Sequence, residues 1–196
     1  MLACLVASPV ALAIAPTLMP ASYTWVAHTT SESAAPGVPG AWLARLGFAL
    51  LGFGVLTLVL LAQDRWGLLA TWMHASFGLL IVAAGLFSAR SWDTTVAFDA
   101  TEDLLHSLSA TAMGFPFAFG VAAVAWRART RRGGVRFVDV AAVLAAVVLP
   151  MGMALAGGAA GLLQRLMFAI AYAWYTIETL GVSGDLAVKP DAAPVG

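Results

Sequence analysis

The chain has 196 residues, of which 61% are hydrophobic and 10% are charged. Soluble globular proteins carry about 25% charged residues, so this composition predicts an integral membrane protein. Acidic and basic residues number 10 each, which argues against a nucleic-acid partner, and the single cysteine, Cys4, excludes an internal disulfide and a cysteine-based metal cluster.

Hydropathy predicts six membrane-spanning helices, at about 2–19, 41–62, 66–88, 104–126, 137–157 and 160–181. Lipid offers no hydrogen-bond partner for the backbone, so every span should be an α-helix. The first range is short and contains Pro9 and Pro16. It has the small residues of a signal-peptide cleavage site but no basic segment before them, and we interpret it as an uncleaved span.

Arginines predict the orientation, because cytoplasmic loops collect Lys and Arg. The connection between the fourth and fifth spans, WRARTRRGGVR, contains five arginines and should be cytoplasmic. Six crossings then place both termini in the cytoplasm. The prediction is a six-helix transmembrane bundle over residues 1–181 in the inner membrane of a bacterium, followed by a disordered cytoplasmic tail at 182–196.

Two polar loops, 20–40 and 89–103, should face outward. The stretches LARLGFA at 43–49 and LQRLMFA at 163–169 agree at five of seven positions, and both open spans that enter from outside. A decayed repeat of helical hairpins would explain the match. It would place Arg45, His106, Gln164 and Arg165 in one polar layer beneath the outer surface.

Arg165 has two interpretations. Side chains on a helix lean toward its N-terminus, so Arg165, and Arg45 by the same argument, can extend to the aqueous surface. Ionisable residues within spans more often face the bundle and pair, which predicts a carboxylate of an outer loop as the partner of Arg165.

Glu102 and His106 are four residues apart and share one helix face. A carboxylate and an imidazole at that spacing could act as an acid–base pair, although the acidic residues around 99–103 also suit simple capping of a helix N-terminus. In the first outer loop, His28, Ser31 and Glu32 lie either in a solvated turn or folded over the mouth of the bundle.

A metal site is not expected. His74 and His106 should be separated by about 19 Å along the membrane normal, at 1.5 Å per helical residue, whereas zinc holds its nitrogen ligands at about 2 Å. The common enzyme and nucleotide-binding motifs are absent from the sequence, and no cofactor is predicted.

The successive stretches YTWVAHTTSES, WLARLGF, GLFSARSWD, EDLLHS and GLLQRL resemble the bacterial multipass proteins catalogued as the domain of unknown function family number 998. The resemblance covers about residues 15 to 180 and implies a six-span protein of the cell envelope. It carries no catalytic motif. The polar positions that it implies to be recurrent are His28, Ser31, Glu32, His106, Gln164 and Arg165.

The leading functional prediction is binding or sensing of a lipid or small amphiphile, or support of envelope assembly, with membrane lipids as partners. The expected ligand site lies under the outer leaflet and consists of His28, Ser31, Glu32, Arg45, Glu102, His106, Gln164 and Arg165; its cations suit an anionic headgroup. The alternatives are a membrane-embedded hydrolase or transferase using Glu102 and His106, and, third, a small-solute transporter. The oligomeric state stays open.

Overall fold

The computed structural model describes residues 1–188, which are 78% helical and contain no β-strand. Seven α-helices follow one another: α1 Leu2–Ile14, α2 Ala41–Trp66, α3 Leu68–Leu86, α4 Ala100–Ala112, α5 Gly114–Arg132, α6 Phe137–Leu155 and α7 Ala160–Val188. A 3₁₀ turn, Ala15–Leu18, extends α1. The all-helical prediction is confirmed.

Each predicted span corresponds to a helix or helix pair, but not all have the same apolar character. Within residues 1–188, four stretches are long and apolar enough to cross a membrane: α2, α3, the near-continuous Ala100–Arg132, and α6. The stretch Leu2–Leu18 is apolar but shorter. Helix α7 has 29 residues but contains Gln164, Arg165 and Glu178. A membrane protein with four candidate spans is therefore supported, and the count of six stays a prediction.

The predicted fourth span is two helices that meet at Met113. Pro116, in the first turn of α5, accounts for the interruption. Its ring would collide with the carbonyl of Ala112 and it has no N–H to donate there, so an uninterrupted helix is disfavoured at this point. Helix α4 is consequently a separate element, and it carries both Glu102 and His106.

Consecutive helices pack side by side, and α7 returns to contact α1 and α2. Helices α2 and α3 approach each other closely, since a Cβ at Gly52 would lie 2.8 Å from the carbonyl oxygen of Gly78. Helix α7 extends to Val188, past residue 182 where the tail was predicted to begin. The rest of that predicted tail, 189–196, lies outside the described residues.

Two ends of this bundle carry the polar groups. We call the loop end the part formed by the long loops 19–40 and 87–99 with the helix ends beside them. The arginine end is formed by the α2–α3 turn at Gly67, the α5–α6 connection 133–136 and the adjoining helix ends. Between the two ends the core is rich in aromatic side chains, including Phe48, Trp174 and Tyr175.

Candidate functional site

Arg165, in the second turn of α7, holds the first long loop against the helix. Its Nη1 donates to the carbonyl oxygens of Trp25 at 2.6 Å and His28 at 3.0 Å, and to that of Gly161 at 2.9 Å. Its Nη2 donates to the Tyr23 hydroxyl at 2.6 Å. The expected carboxylate is not among its partners in the described residues, so no negative charge offsets that of the guanidinium.

The loop in turn caps the N-terminus of α7. Gly161 and Leu162 donate their backbone N–H groups to the carbonyls of Ala27 and Val26, at 3.2 and 2.9 Å. These are N–H groups that a helix start leaves without an intrahelical partner. A Cβ on Gly161 would lie 2.1 Å from the His28 carbonyl oxygen, so only glycine permits this close approach.

Gln164 and the HTTSES stretch form the next layer of contacts. The Gln164 side-chain oxygen accepts the Thr30 N–H at 2.6 Å, and its amide nitrogen lies 3.4 Å from the Ser31 hydroxyl. Glu32 accepts from the backbone N–H of Thr29 at 2.6 Å and from its hydroxyl at 2.9 Å. The loop is thus folded over the end of the bundle, which is the second of the two arrangements considered from the sequence.

An aromatic cluster joins the two long loops. The His28 ring stacks on Trp92 with centroids 5.3 Å apart, and Tyr23 meets the same indole edge-on at 4.9 Å. The backbone N–H of Thr24 donates to Nδ1 of His28 at 2.9 Å, which leaves Nε2 as the protonated nitrogen of the neutral ring. Burial raises the pKa of Tyr23, against the opposing effect of the Arg165 charge, so the phenol is neutral at physiological pH.

Below this loop, a groove of about 530 Å³ lies between α1 and α7. Its walls are mainly apolar, and Thr30 and Arg165 lie at its loop-end rim. The complete lining is Pro9, Leu12, Ala13, Pro16, Thr17, Trp25, Thr30, Arg165, Phe168, Ala169 and Tyr172. Beside the groove, Ser8 joins α1 to α7, because its hydroxyl lies 2.5 Å from the Tyr172 hydroxyl. The same hydroxyl donates to the Gly47 carbonyl of α2 at 2.6 Å.

Arg45 and Glu102 lie elsewhere at the loop end. Arg45 donates through Nε to the Ala34 carbonyl at 2.9 Å and through Nη2 to the Ser88 hydroxyl. Glu102 accepts the backbone N–H of Ser88 at 3.1 Å. The two side chains therefore fix the segment that follows α3, and Asp99 caps α4 by accepting the N–H groups of its first turn.

His106 caps the C-terminus of α3. Its Nδ1 lies 2.8 Å from the Ala84 carbonyl oxygen and 3.1 Å from that of Phe87, so Nδ1 carries the proton. The ring is buried, and its Nε2 has no hydrogen-bond partner in the described residues. His106 and Glu102 take separate backbone partners and make no hydrogen bond with each other in the described chain, an arrangement that does not favour an acid–base pair.

The eight residues predicted to form one site are thus divided among several contacts. Arg165 alone among them lines the groove between α1 and α7. Glu32 lines a second, smaller cavity of about 310 Å³ between the two long loops, together with Arg90 and Trp92. The remaining six form hydrogen bonds that shape the loop end: His28, Ser31, Arg45, Glu102, His106 and Gln164.

At the arginine end, opposite the loop end, several charged side chains meet around a buried carboxylate. Glu178 is fully buried and accepts from Arg132 at 3.0 Å and Arg136 at 2.7 Å through one oxygen. Its other oxygen accepts the Trp66 indole N–H at 3.0 Å and lies 3.9 Å from Nε of Arg65. One carboxylate on α7 is therefore bound to α2, α5 and the α5–α6 connection.

Asp139 completes this charge cluster, which we define as Arg65, Arg132, Arg136, Asp139 and Glu178. Asp139 forms a bidentate pair with Arg136, at 2.5 and 3.1 Å, and accepts the Trp174 indole N–H at 2.9 Å. Burial lowers the pKa of Arg136, but its bonds and charge contacts with Asp139 and Glu178 outweigh that effect and raise it.

Asp139 and Glu178 are not among the site residues that the sequence predicted. A usable signal existed, because an acidic residue within an apolar helix requires a partner and five arginines lie in the neighbouring loop. Among the described residues, no cluster of histidine, cysteine or acidic side chains could hold a metal ion. His74 is buried against Trp174, with its Nδ1 2.9 Å from the Tyr175 hydroxyl.

The loop-end contacts described above involve all the stretches on which the family resemblance rests: YTWVAHTTSES, WLARLGF, GLFSARSWD, EDLLHS and GLLQRL. A family model described as "Protein of unknown function (DUF998)" matches residues 1–181. The chain belongs to the DUF998 family. No curated protein and no solved structure matches this DUF998 protein.

Proposed function

We propose that this DUF998 protein binds a membrane amphiphile in the groove between α1 and α7. The ligand would have an apolar body and an anionic headgroup. The observation that carries the proposal is the position of Arg165 at the rim of an otherwise apolar groove of about 530 Å³, a size typical of small-ligand sites.

The charge of Arg165 favours an anionic headgroup. Carbonyl and phenol oxygens hold the guanidinium in place without neutralising it, and its Nε–H has no hydrogen-bond partner among the described residues. A carboxylate, sulfonate or phosphate could therefore accept a charge-assisted bond there. The Thr30 and Thr17 hydroxyls, which also line the groove, offer further polar contacts.

Orientation follows from the arginines as part of the same proposal. The protein would cross the inner membrane six times. The arginine end would face the cytoplasm, because Lys and Arg accumulate on that side. The groove would then open laterally into the outer leaflet. We prefer binding to hydrolysis because Glu102 and His106 do not line the groove, and to transport because the groove lies toward one end of the bundle.

The test uses the fluorescence of Trp25, which lines the groove and is 54% exposed. A fatty acid with a spin label on its chain is titrated into the full chain in nonionic detergent. The Trp25 signal is isolated as the difference between the wild type and Trp25→Phe. We expect saturable quenching, because the label would enter the groove beside the indole.

A matched pair of variants decides between groove binding and general detergent-like partitioning. Ala169→Phe places a ring in the groove, whereas Ala122→Phe adds the same ring to an exposed position of α5 outside it. Quenching should be lost in the first variant and kept in the second. Equal quenching in both would refute the proposal.

A further inference from the structure

Three arginines at the arginine end are left outside the charge cluster. Arg127, Arg129 and Arg131 lie in the last two turns of α5, and none has a carboxylate partner among the described residues. Arg127 and Arg131 are exposed. Unpaired guanidiniums at a helix end form a surface of positive charge, and they remain available to an external anion.

Two of these side chains are held in defined positions. The guanidinium of Arg127 packs on the α2–α3 turn, where a Cβ at Gly67 would lie 3.2 Å from its Cζ. The Arg129 guanidinium lies over the Trp126 ring, 3.5 Å from the centroid, and donates to the Trp126 carbonyl. Because these cations are already placed, a ligand would lose less side-chain entropy on binding them.

The acidic residues nearby cannot neutralise this surface. Asp139 and Glu178 are buried and already bound to Arg132 and Arg136. The charge cluster itself contains three guanidiniums and two carboxylates, so it adds to the positive potential. Asp64, in the last turn of α2, is the remaining acidic residue on the helix ends here whose side chain is described, and it is exposed.

Exposed apolar side chains border the same surface. Phe137 is 87% exposed at the start of α6 and Trp126 is 66% exposed on α5, and Leu68 and Trp72 are exposed at the start of α3. Aromatic and apolar side chains beside basic residues are typical of the boundary between headgroups and acyl chains. This arrangement fits a molecule that combines a negative headgroup with acyl chains.

We propose that Arg127, Arg129 and Arg131 bind the headgroups of anionic phospholipids in the leaflet that meets the arginine end. This site is independent of the groove between α1 and α7, since the two lie at opposite ends of the bundle. Each basic residue near an anionic membrane surface contributes about a fivefold preference, and removal of two should reduce the preference by about 25-fold at most.

Native mass spectrometry of the full chain tests this directly. The protein is equilibrated in detergent with equal amounts of phosphatidylglycerol and phosphatidylcholine that carry identical acyl chains, and the ratio of bound lipids is measured. The wild type should retain more phosphatidylglycerol. The double variant Arg127→Gln with Arg131→Gln should lower the ratio at least fivefold without unfolding, because both side chains are exposed and make no hydrogen bond or ion pair among the described residues.

Two controls separate the possible outcomes. Arg90→Gln removes an exposed arginine at the loop end and should leave the ratio unchanged. The double variant is also compared with its parent in an Ala169→Phe background, where the groove is filled; the same fold loss there places the effect at the arginine end whether or not the groove binds lipid. An unchanged ratio in the double variant, or an equal loss with Arg90→Gln, would overturn the assignment.

Discussion

Glu178→Gln tests whether the charge cluster holds the bundle together. The substitution keeps the size of the side chain and a hydrogen-bond acceptor for the Trp66 indole, but removes the charge that Arg132 and Arg136 contact at 3.0 and 2.7 Å. Glu178 is fully buried, so water does not reach this position to solvate the arginine side chains that face it. Breaking a buried ion pair by removing one partner costs about 3–5 kcal/mol of unfolding free energy.

The effect can be measured by thermal unfolding in detergent. For chains of this length, each kcal/mol shifts the Tm by about 2–4 °C, so the expected loss is about 6–20 °C. Asp64→Asn is the matched control, because it removes an exposed carboxylate from the same end of the bundle. A substitution of that kind changes the free energy of unfolding by no more than about 0.5 kcal/mol.

A double-mutant cycle then identifies the interaction. Arg136→Gln alone should also be destabilising, and the combination with Glu178→Gln should cost less than the sum of the two, with a coupling of about 1–3 kcal/mol. If Glu178→Gln lowers the Tm no more than Asp64→Asn does, or if the two cluster substitutions are additive, the cluster does not stabilise the bundle and the reasoning fails.

Three further outcomes are expected. Gly120→Ala should destabilise the fold by about 1–3 kcal/mol, because the new Cβ would lie 2.7 Å from Nε2 of buried His74, whereas Gly114→Ala meets its nearest neighbour at 3.6 Å and should be tolerated in the same thermal assay. Arg165→Ala should speed limited proteolysis of the first long loop, because the three hydrogen bonds from this side chain to the loop are lost; an unchanged cleavage rate would contradict that role. Asp99 accepts backbone N–H groups of the first turn of α4, and these bonds lower the pKa of its carboxyl. The carboxylate therefore stabilises the fold above about pH 4, the ordinary pKa, and this stabilisation is lost as the pH falls through the lowered pKa. Asp99→Asn should flatten this part of the curve of Tm against pH.

The positions of the helices could be predicted because hydropathy acts locally. Apolar runs between polar breaks located the helices, although α5 and α7 extend past the predicted ends at 126 and 181 to Arg132 and Val188. The polar character of EDLLHS and LLQRL correctly marked helix starts. The interruption at Met113 was also within reach, since the effect of Pro116 on the preceding turn depends only on backbone geometry.

The partners of the polar residues could not be predicted in the same way. Arg165 could bind a carboxylate, a carbonyl or water, and the choice depends on how a loop more than a hundred residues away in sequence folds against α7. The spacing of Glu102 and His106 left an acid–base pair open beside simple helix capping, whereas in the structure His106 donates to carbonyls at the end of α3. Helix ends leave such groups unsatisfied, so they compete successfully for nearby donors.

By itself, then, the sequence determined that the protein is a helical membrane protein with its arginines concentrated at one end, because composition and hydropathy are properties of the chain. Tertiary structure decided which of its polar residues meet. It divided the predicted polar layer between loop contacts and a groove. It also buried Glu178 among three arginines, because the ends of α2 and α5 and the start of α6 lie beside this point of α7. Contacts of this kind depend on distances between helices, which no local pattern encodes.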